Sequence, residues 1–156
     1  MSIYTHRFQV KTSVDRVIEF HQDPRALKWL TPPPVIVQFH DFEPVAENSR
    51  VDFTMWMGPI PVRWVAIHSD VDPQAGFTDT QTHGPFKRWV HRHNFRRIDE
   101  QVTEIEDTIE AEPGSHPVWG LVSRFMWSNL PFLFSHRERV TRRKLESPAS
   151  KRGNFG

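Results

Sequence analysis

The stretch FKRWVHRHNFRRI, residues 86–98, alternates between two chemistries with the period of a β-strand. Trp89, His91, His93 and Phe95 fall on one face. Arg88, Arg92, Asn94 and Arg96 fall on the other, with Val90 the exception. Three arginines on one face mark it as solvent-facing, so the Trp/His/His/Phe face points into the core. Two imidazoles inside a core need polar company, because an unpaired buried polar group costs free energy.

Flanking segments supply that company. In residues 102–112, Glu104, Glu106 and Glu110 mark an outer face and leave Thr103, Ile105, Asp107 and Ile109 inside, so Asp107 is an inward carboxylate. In residues 62–71, Val62, Trp64, Ala66 and His68 share a face opposite Arg63. In residues 50–57 the apolar set is Val51, Phe53, Met55 and Met57. The expected interior thus holds Phe53, Met55, Trp64, Trp89 and Phe95 with His68, His91, His93 and Asp107 as a polar minority. Apolar walls with a few orienting polar groups are the usual make-up of a small-molecule pocket.

Working outward, strands are expected at residues 35–42, 50–57, 62–71, 76–82, 86–98 and 102–112, separated by turn signals such as Gly58-Pro59, Asp72-Pro73 and Gly84-Pro85. Links this short make neighbours pair as an antiparallel meander. Before them lie a strand over residues 3–11, a short helix capped by Thr12 or Ser13, and a second short helix through Trp29 and Leu30. The run Thr31-Pro32-Pro33-Pro34 must be extended, and with the Gly-Pro pairs it could rim a pocket mouth. After Pro113-Gly114-Ser115, apolar residues recur at helical spacing from Trp119 through Leu130, and Pro131 is expected to kink or break the helix before a segment over residues 132–145. Residues 147–156 read as a disordered tail.

At 156 residues the chain fits one domain. The absence of cysteine removes disulfides, thiolate metal sites and cysteine nucleophiles. No apolar run approaches the roughly 20 residues that span a bilayer, and the opening MSIYTHRFQV has no signal-peptide layout. A cytoplasmic protein without an integral membrane segment is therefore expected. Seven acids and no Lys or Arg occupy residues 99–112, whereas residues 137–152 carry seven basic residues against two acids. The basic run reads as a helix end that complements the helix dipole; it is too short and interrupted for nucleic-acid binding. Six tryptophans and twelve phenylalanines beside one tyrosine favour a pocket for a flat or greasy ligand.

Sharper chemistries find less support. His91-x-His93 with His68 and Asp107 could hold a metal, but such spacing arises readily in strands and no helical His pair is present, so neither metal nor other cofactor is expected. There is no Gly-x-Ser-x-Gly elbow, phosphate loop or dinucleotide fingerprint. Acid–base work by His91, His93 and Asp107 is physically possible, against the simpler reading that these groups satisfy one another in the core.

Several stretches carry a family likeness: Phe8-Gln-Val10 with Ser13-Val-Asp-Arg-Val-Ile-Glu-Phe-His-Gln-Asp-Pro24, Leu30-Thr-Pro-Pro-Pro34, Gly58-Pro-Ile-Pro-Val-Arg-Trp64, Gly76-Phe-Thr-Asp-Thr-Gln81, Gly84-Pro-Phe-Lys-Arg-Trp-Val-His-Arg-His93 and Thr103-Glu-Ile-Glu-Asp-Thr-Ile109. With the element order, they make residues 3–146 resemble the START-related helix-grip superfamily, SRPBCC, which includes polyketide cyclases/dehydrases, coenzyme Q-binding proteins and lipid-transfer proteins. The resemblance implies an α+β helix-grip domain over residues 1–146, with six to seven curved antiparallel strands wrapped around a long C-terminal helix. It also implies a ligand between sheet and helix, which adds Trp119, Met126 and Leu130 to the candidate pocket residues. The expected function is binding, and possible transport, of a lipid, polyketide or quinone. The alternatives are an aromatase/cyclase or dehydratase-type enzyme using the inward His and Asp residues, and an interaction module using the basic C-terminal segment.

Overall fold

The structure is a computed structural model that describes residues 1–146; the tail at 147–156, expected to be disordered, lies outside the described residues. Seven strands form one antiparallel sheet: β1 (Ser2–Val10), β2 (Ile36–Phe42), β3 (Arg50–Met57), β4 (Ile60–Asp72), β5 (Gly76–His83), β6 (Arg88–Asp99) and β7 (Val102–Glu112). The order β1-β7-β6-β5-β4-β3-β2 makes β2 to β7 a meander and returns the first strand to the side of the last. Between β1 and β2 come α1 (Val14–Gln22), a 3₁₀ turn (Pro24–Ala26) and the single-turn α2 (Leu27–Leu30). Helices α3 (Pro117–Ser128) and α4 (Leu130–Glu146) follow the sheet. This is the helix-grip α+β architecture, and among the described residues no helix is long and apolar enough to cross a membrane.

The alternation read from the sequence sets which face is buried. On β7, Thr103, Ile105, Asp107 and Ile109 are buried while Glu104, Glu106 and Glu110 look outward. Those acids meet the outward arginines of β6 across the ladder, Arg96 to Glu104 and Arg92 to Glu110, each at 3.2 Å. The acidic run of the sequence thus joins the outward arginines of β6 in one outer face of cross-strand pairs, each worth little alone.

Helix α4 closes the inner face. Its first half contributes Leu130 and Phe134 to a core with Val37, Phe53, Trp64, Trp89 and Ile109. Its second half contributes Val140 and Leu145 to a core with Phe8, Val17, Phe20, Phe95 and Ile105. The expected interruption falls at Asn129 rather than at Pro131. Asn129 donates its backbone N–H to Met126 at 3.1 Å and its side-chain amide to Phe125 at 2.8 Å, which ends α3. Pro131 then sits in the first turn of α4, where a missing N–H leaves no bond unmade. Ser13, rather than Thr12, caps α1, its Oγ accepting from the Arg16 N–H at 3.4 Å. The Thr12 carbonyl instead accepts a buried bond of 2.9 Å from Thr103 Oγ1 and ties the entry of α1 to β7.

Gly76 opens β5 at φ +134°, a region that side chains rarely adopt, and a Cβ there would collide with the His93 carbonyl oxygen. This close approach fixes β5 against β6. Gly76→Ala should therefore lower unfolding stability by about 2 kcal/mol or more. Urea melts of both proteins would measure it; equal stability would show that the β5–β6 contact is not constrained at this point.

Candidate functional site

Sheet curvature and a single gripping helix leave space between them. A cavity of about 350 Å³ is lined by Phe53, Met55, Trp64, Ala66 and Trp89 from the sheet, Leu27 and Leu30 from α2, and Met126, Leu130, Leu133 and Phe134 from the C-terminal helices. Pro32, Pro33 and Pro34 also line it, as the rim reading of the proline run expects; Gly58, Gly84 and Pro85 do not. Trp64 and Trp89 meet edge to face at 5.2 Å, and Phe53 stacks on Trp64 at 6.4 Å.

One wall is polar. The inward alternation of β6 places the rings of His91 and His93 3.8 Å apart. Nε2 of His91 donates to Asp107 Oδ1 at 2.8 Å, and Nδ1 of His93 stands 3.2 Å from the same oxygen. On the opposite side, His93 Nε2 bonds to Asp79 Oδ2 at 2.6 Å, with His91 Nδ1 3.8 Å from that oxygen. An ionised carboxylate only accepts, so the hydrogens of the three closer contacts sit on the imidazoles. Phe77 stacks on His93 at 4.3 Å and holds its ring plane.

These groups set one another's charge. Burial works against a charged His93, but its contacts with Asp107 and Asp79 outweigh that and raise its pKa to about 9. Burial would raise the Asp79 pKa, but the bond to His93 and the charge of both imidazoles bring it down to about 2, and the same causes lower Asp107. For His91 burial prevails, reinforced by the charge on His93, and its pKa falls. His21, whose Nδ1 is held by the Val17 carbonyl at 2.8 Å, is pushed down to about 4 by burial. At neutral pH the wall therefore holds two carboxylates, one imidazolium and one neutral imidazole. Arg137, reaching in from α4 over the Phe134 ring, adds a second cation within their field.

Of the residues expected at the site, Phe53, Met55, Trp64, His68, Trp89, His91, His93, Met126 and Leu130 line the cavity. His68 is turned to Ser49, whose Oγ lies 2.9 Å from its Nδ1. Asp107 stands behind the histidines rather than on the lining. Phe95 is not a wall: it is buried in the second core beside His21 and Phe77. Trp119 also misses the cavity and is 37% exposed. The inward face at that end of α3 is made by small residues, Gly120 against the Gly114 backbone and Ser123 accepting from the Gly114 N–H at 3.0 Å, so Trp119 turns outward. Sequence reasoning missed Asp79, His21 and Arg137. The alternation Phe77, Asp79, Gln81 against Thr78 and Thr80 held a signal for the first, and Arg137 lies three positions after Phe134 on one helix face.

No protein-family model matches the chain, and no curated protein does. Solved structures match by fold. The ZhuI aromatase/cyclase from Streptomyces sp. R1128 superposes with a TM-score of 0.72 at 13% identity, covering 95% of this chain and 97% of that one. A protein from Thermus thermophilus gives 0.65 at 20% identity, over 90% and 97% of the two chains. Major latex-like protein 151 from Panax ginseng gives 0.61 at 13% identity, over 90% and 95%. These likenesses agree with the helix-grip fold expected from the sequence, and at such identities they speak for the fold alone.

The charge on His93 has a thermodynamic consequence with a definite sign. A pKa raised from 6.5 to about 9 on folding contributes stability that is whole below pH 6.5 and is lost as pH climbs through 9. The lowered pKa values of His21, His68 and His91 act in the other direction and only below pH 6.5. The melting temperature should thus fall by several degrees between pH 6.5 and 9, followed by calorimetry, and His93→Gln should flatten that decline. A wild-type midpoint unchanged across this window would mean that His93 is neutral in the folded protein.

Proposed function

We propose that the protein binds an apolar small molecule with one polar end, such as a lipid, polyketide or quinone, in the cavity between the sheet and α4. The observation that carries this reading is the asymmetry of the cavity: its lining is mostly aromatic and aliphatic, with Asp79, His91 and His93 in mutual contact on the sheet and Arg137 within their field from α4. An apolar body gains by leaving water against Phe53, Trp64 and Trp89, roughly 25 cal/mol for each Å² buried. The polar wall would orient a carbonyl, phenol or carboxylate toward His93 and Arg137. Mass spectrometry of compounds extracted from the purified protein is the direct test, with a thermal-shift panel of fatty acids, short-tailed quinones and fused-ring aromatics beside it. Met55→Trp, which fills the cavity from β3, should weaken binding about tenfold or more without loss of fold. If no compound is extracted and no probe moves the melting temperature, the cavity is not a binding site.

A second reading is favoured by the paired imidazoles. A protonated His93 and a neutral His91 on one wall supply an acid and a base, the requirement for an aromatase/cyclase or dehydratase-type reaction on a bound polyketone. The likeness to the Streptomyces aromatase/cyclase supports this reading by fold. His93→Gln separates the two: a carrier changes only in ligand affinity, whereas an enzyme still binds and loses turnover by about a hundredfold or more.

A further inference from the structure

The four groups of the polar wall have a geometry that orienting a ligand does not require. We propose that Asp79, His91 and His93 form a binding site for one divalent transition-metal ion of the zinc class, with Asp107 as the carboxylate that aligns both imidazoles from behind.

The donor set is two imidazoles and one carboxylate, the type found where zinc-class ions keep a position open to substrate. One ligand atom from each of Asp79, His91 and His93 lies within 4.8 Å of the others. The arrangement behind them is more specific. Asp107 Oδ1 takes the Nε2–H of His91 at 2.8 Å and faces Nδ1 of His93 at 3.2 Å. Both rings are thereby turned so that the other nitrogen, Nδ1 of His91 and Nε2 of His93, faces Asp79 Oδ2, at 3.8 and 2.6 Å. A carboxylate holding the far nitrogen of a ligating histidine is the recurrent outer shell of metal sites, because it fixes the tautomer and raises the basicity of the ligating nitrogen. Here one carboxylate serves two histidines.

Size and charge agree. Metal–ligand bonds of about 2.0–2.1 Å in a tetrahedral site set donors roughly 3.3 Å apart. The His93–Asp79 pair would widen by about 0.7 Å from its 2.6 Å, and the His91–Asp79 pair at 3.8 Å would close slightly. The ion displaces the proton between His93 and Asp79, and two buried carboxylates balance its charge. All three ligands line the cavity, so a remaining coordination position faces the space where an organic molecule would lie. The competing state is the one with His93 protonated between two carboxylates, and ion and proton exclude each other.

The site rests on the same cavity as the proposed function but not on what fills it, so it is tested without any organic ligand. The full chain, free of tags and stripped with a chelator, is titrated with cobalt(II) and then zinc(II). One equivalent of cobalt should bind with the visible absorption of a low-coordinate N/O site, and zinc should displace it and raise the melting temperature by several degrees. His93→Gln and Asp79→Asn should lose this binding, Asp107→Asn should weaken it about 10–100-fold with the stoichiometry kept, and His83→Gln on the exposed end of β5 should leave it unchanged. Should the first two variants not fold, ring-nitrogen NMR of the wild-type protein with zinc decides, since only the resonances of His91 and His93 should move. No visible band, or binding that survives in a folded His93→Gln protein, or shifts confined to other histidines, overturns the site. Extracted lipid with no cobalt band would sink this inference and leave the ligand pocket standing; a cobalt band with no apolar ligand would do the reverse.

Discussion

Asp107 is only 7% exposed and its carboxyl is held in the charged form, a state the interior of a protein tolerates only when donors face the charge. Its partners are His91 and His93, and they can reach it because β6 and β7 pair in a register that sets His93 directly across from it. Asp79 meets the same imidazoles from β5, where the ladder sets it opposite His91. Three adjacent strands thus share one buried electrostatic arrangement, and each contributes a member that the others cannot leave unpaired. The phenyl ring of Phe77 over His93 and the backbone of Gly76 against the His93 carbonyl keep this arrangement in place without a further polar group.

The rest of the fold follows from the need to cover that face without filling it. Helix α4 bridges two cores, one beneath Leu130 and Phe134 and one beneath Val140 and Leu145, and so runs along the concave side of the sheet. A straight cylinder against a curved sheet leaves a gap, and the gap lies where α3 and α4 meet at Asn129. Aromatic residues from β3, β4 and β6 wall it because the inward positions of those strands carry Phe53, Trp64 and Trp89. Arg137 enters the same space because it follows Phe134 by one helical turn.

Much of this is legible in the sequence, for reasons that differ by residue. The strands at 86–98 and 102–112 concentrate their charges on one face, so period two assigns their inner faces, and Asp107 emerges as the inward exception. Residues 76–82 are short and polar on both faces, threonines on one and Asp79 with Gln81 on the other, so the alternation there is fainter than on its neighbours even though Asp79 completes the site. Phe95 points inward as its strand face requires, but inwardness along a long strand does not say which of two cores it enters; that depends on where α1 lies. Trp119 escapes the pattern because helical spacing counts apolar residues, whereas the contact at that end of α3 selects the smallest ones, Gly120 and Ser123. Pro131 announces an interruption but not its position, which the side chain of Asn129 decides.

The two histidines of β6 are separated by one outward arginine, and this spacing ties the site to chain length within the strand. Adding or removing one residue ahead of His91 would present Arg92 to the cavity and both imidazoles to water, since every side chain beyond the change would exchange faces. Substitutions can alter the wall gradually, one group at a time; a change of length inverts it whole. A change of length in this half of the sheet leaves the wall intact only in the connections outside the strands, such as residues 84–87 and 100–101, and β6 between them is a segment whose identity and length are under the same constraint.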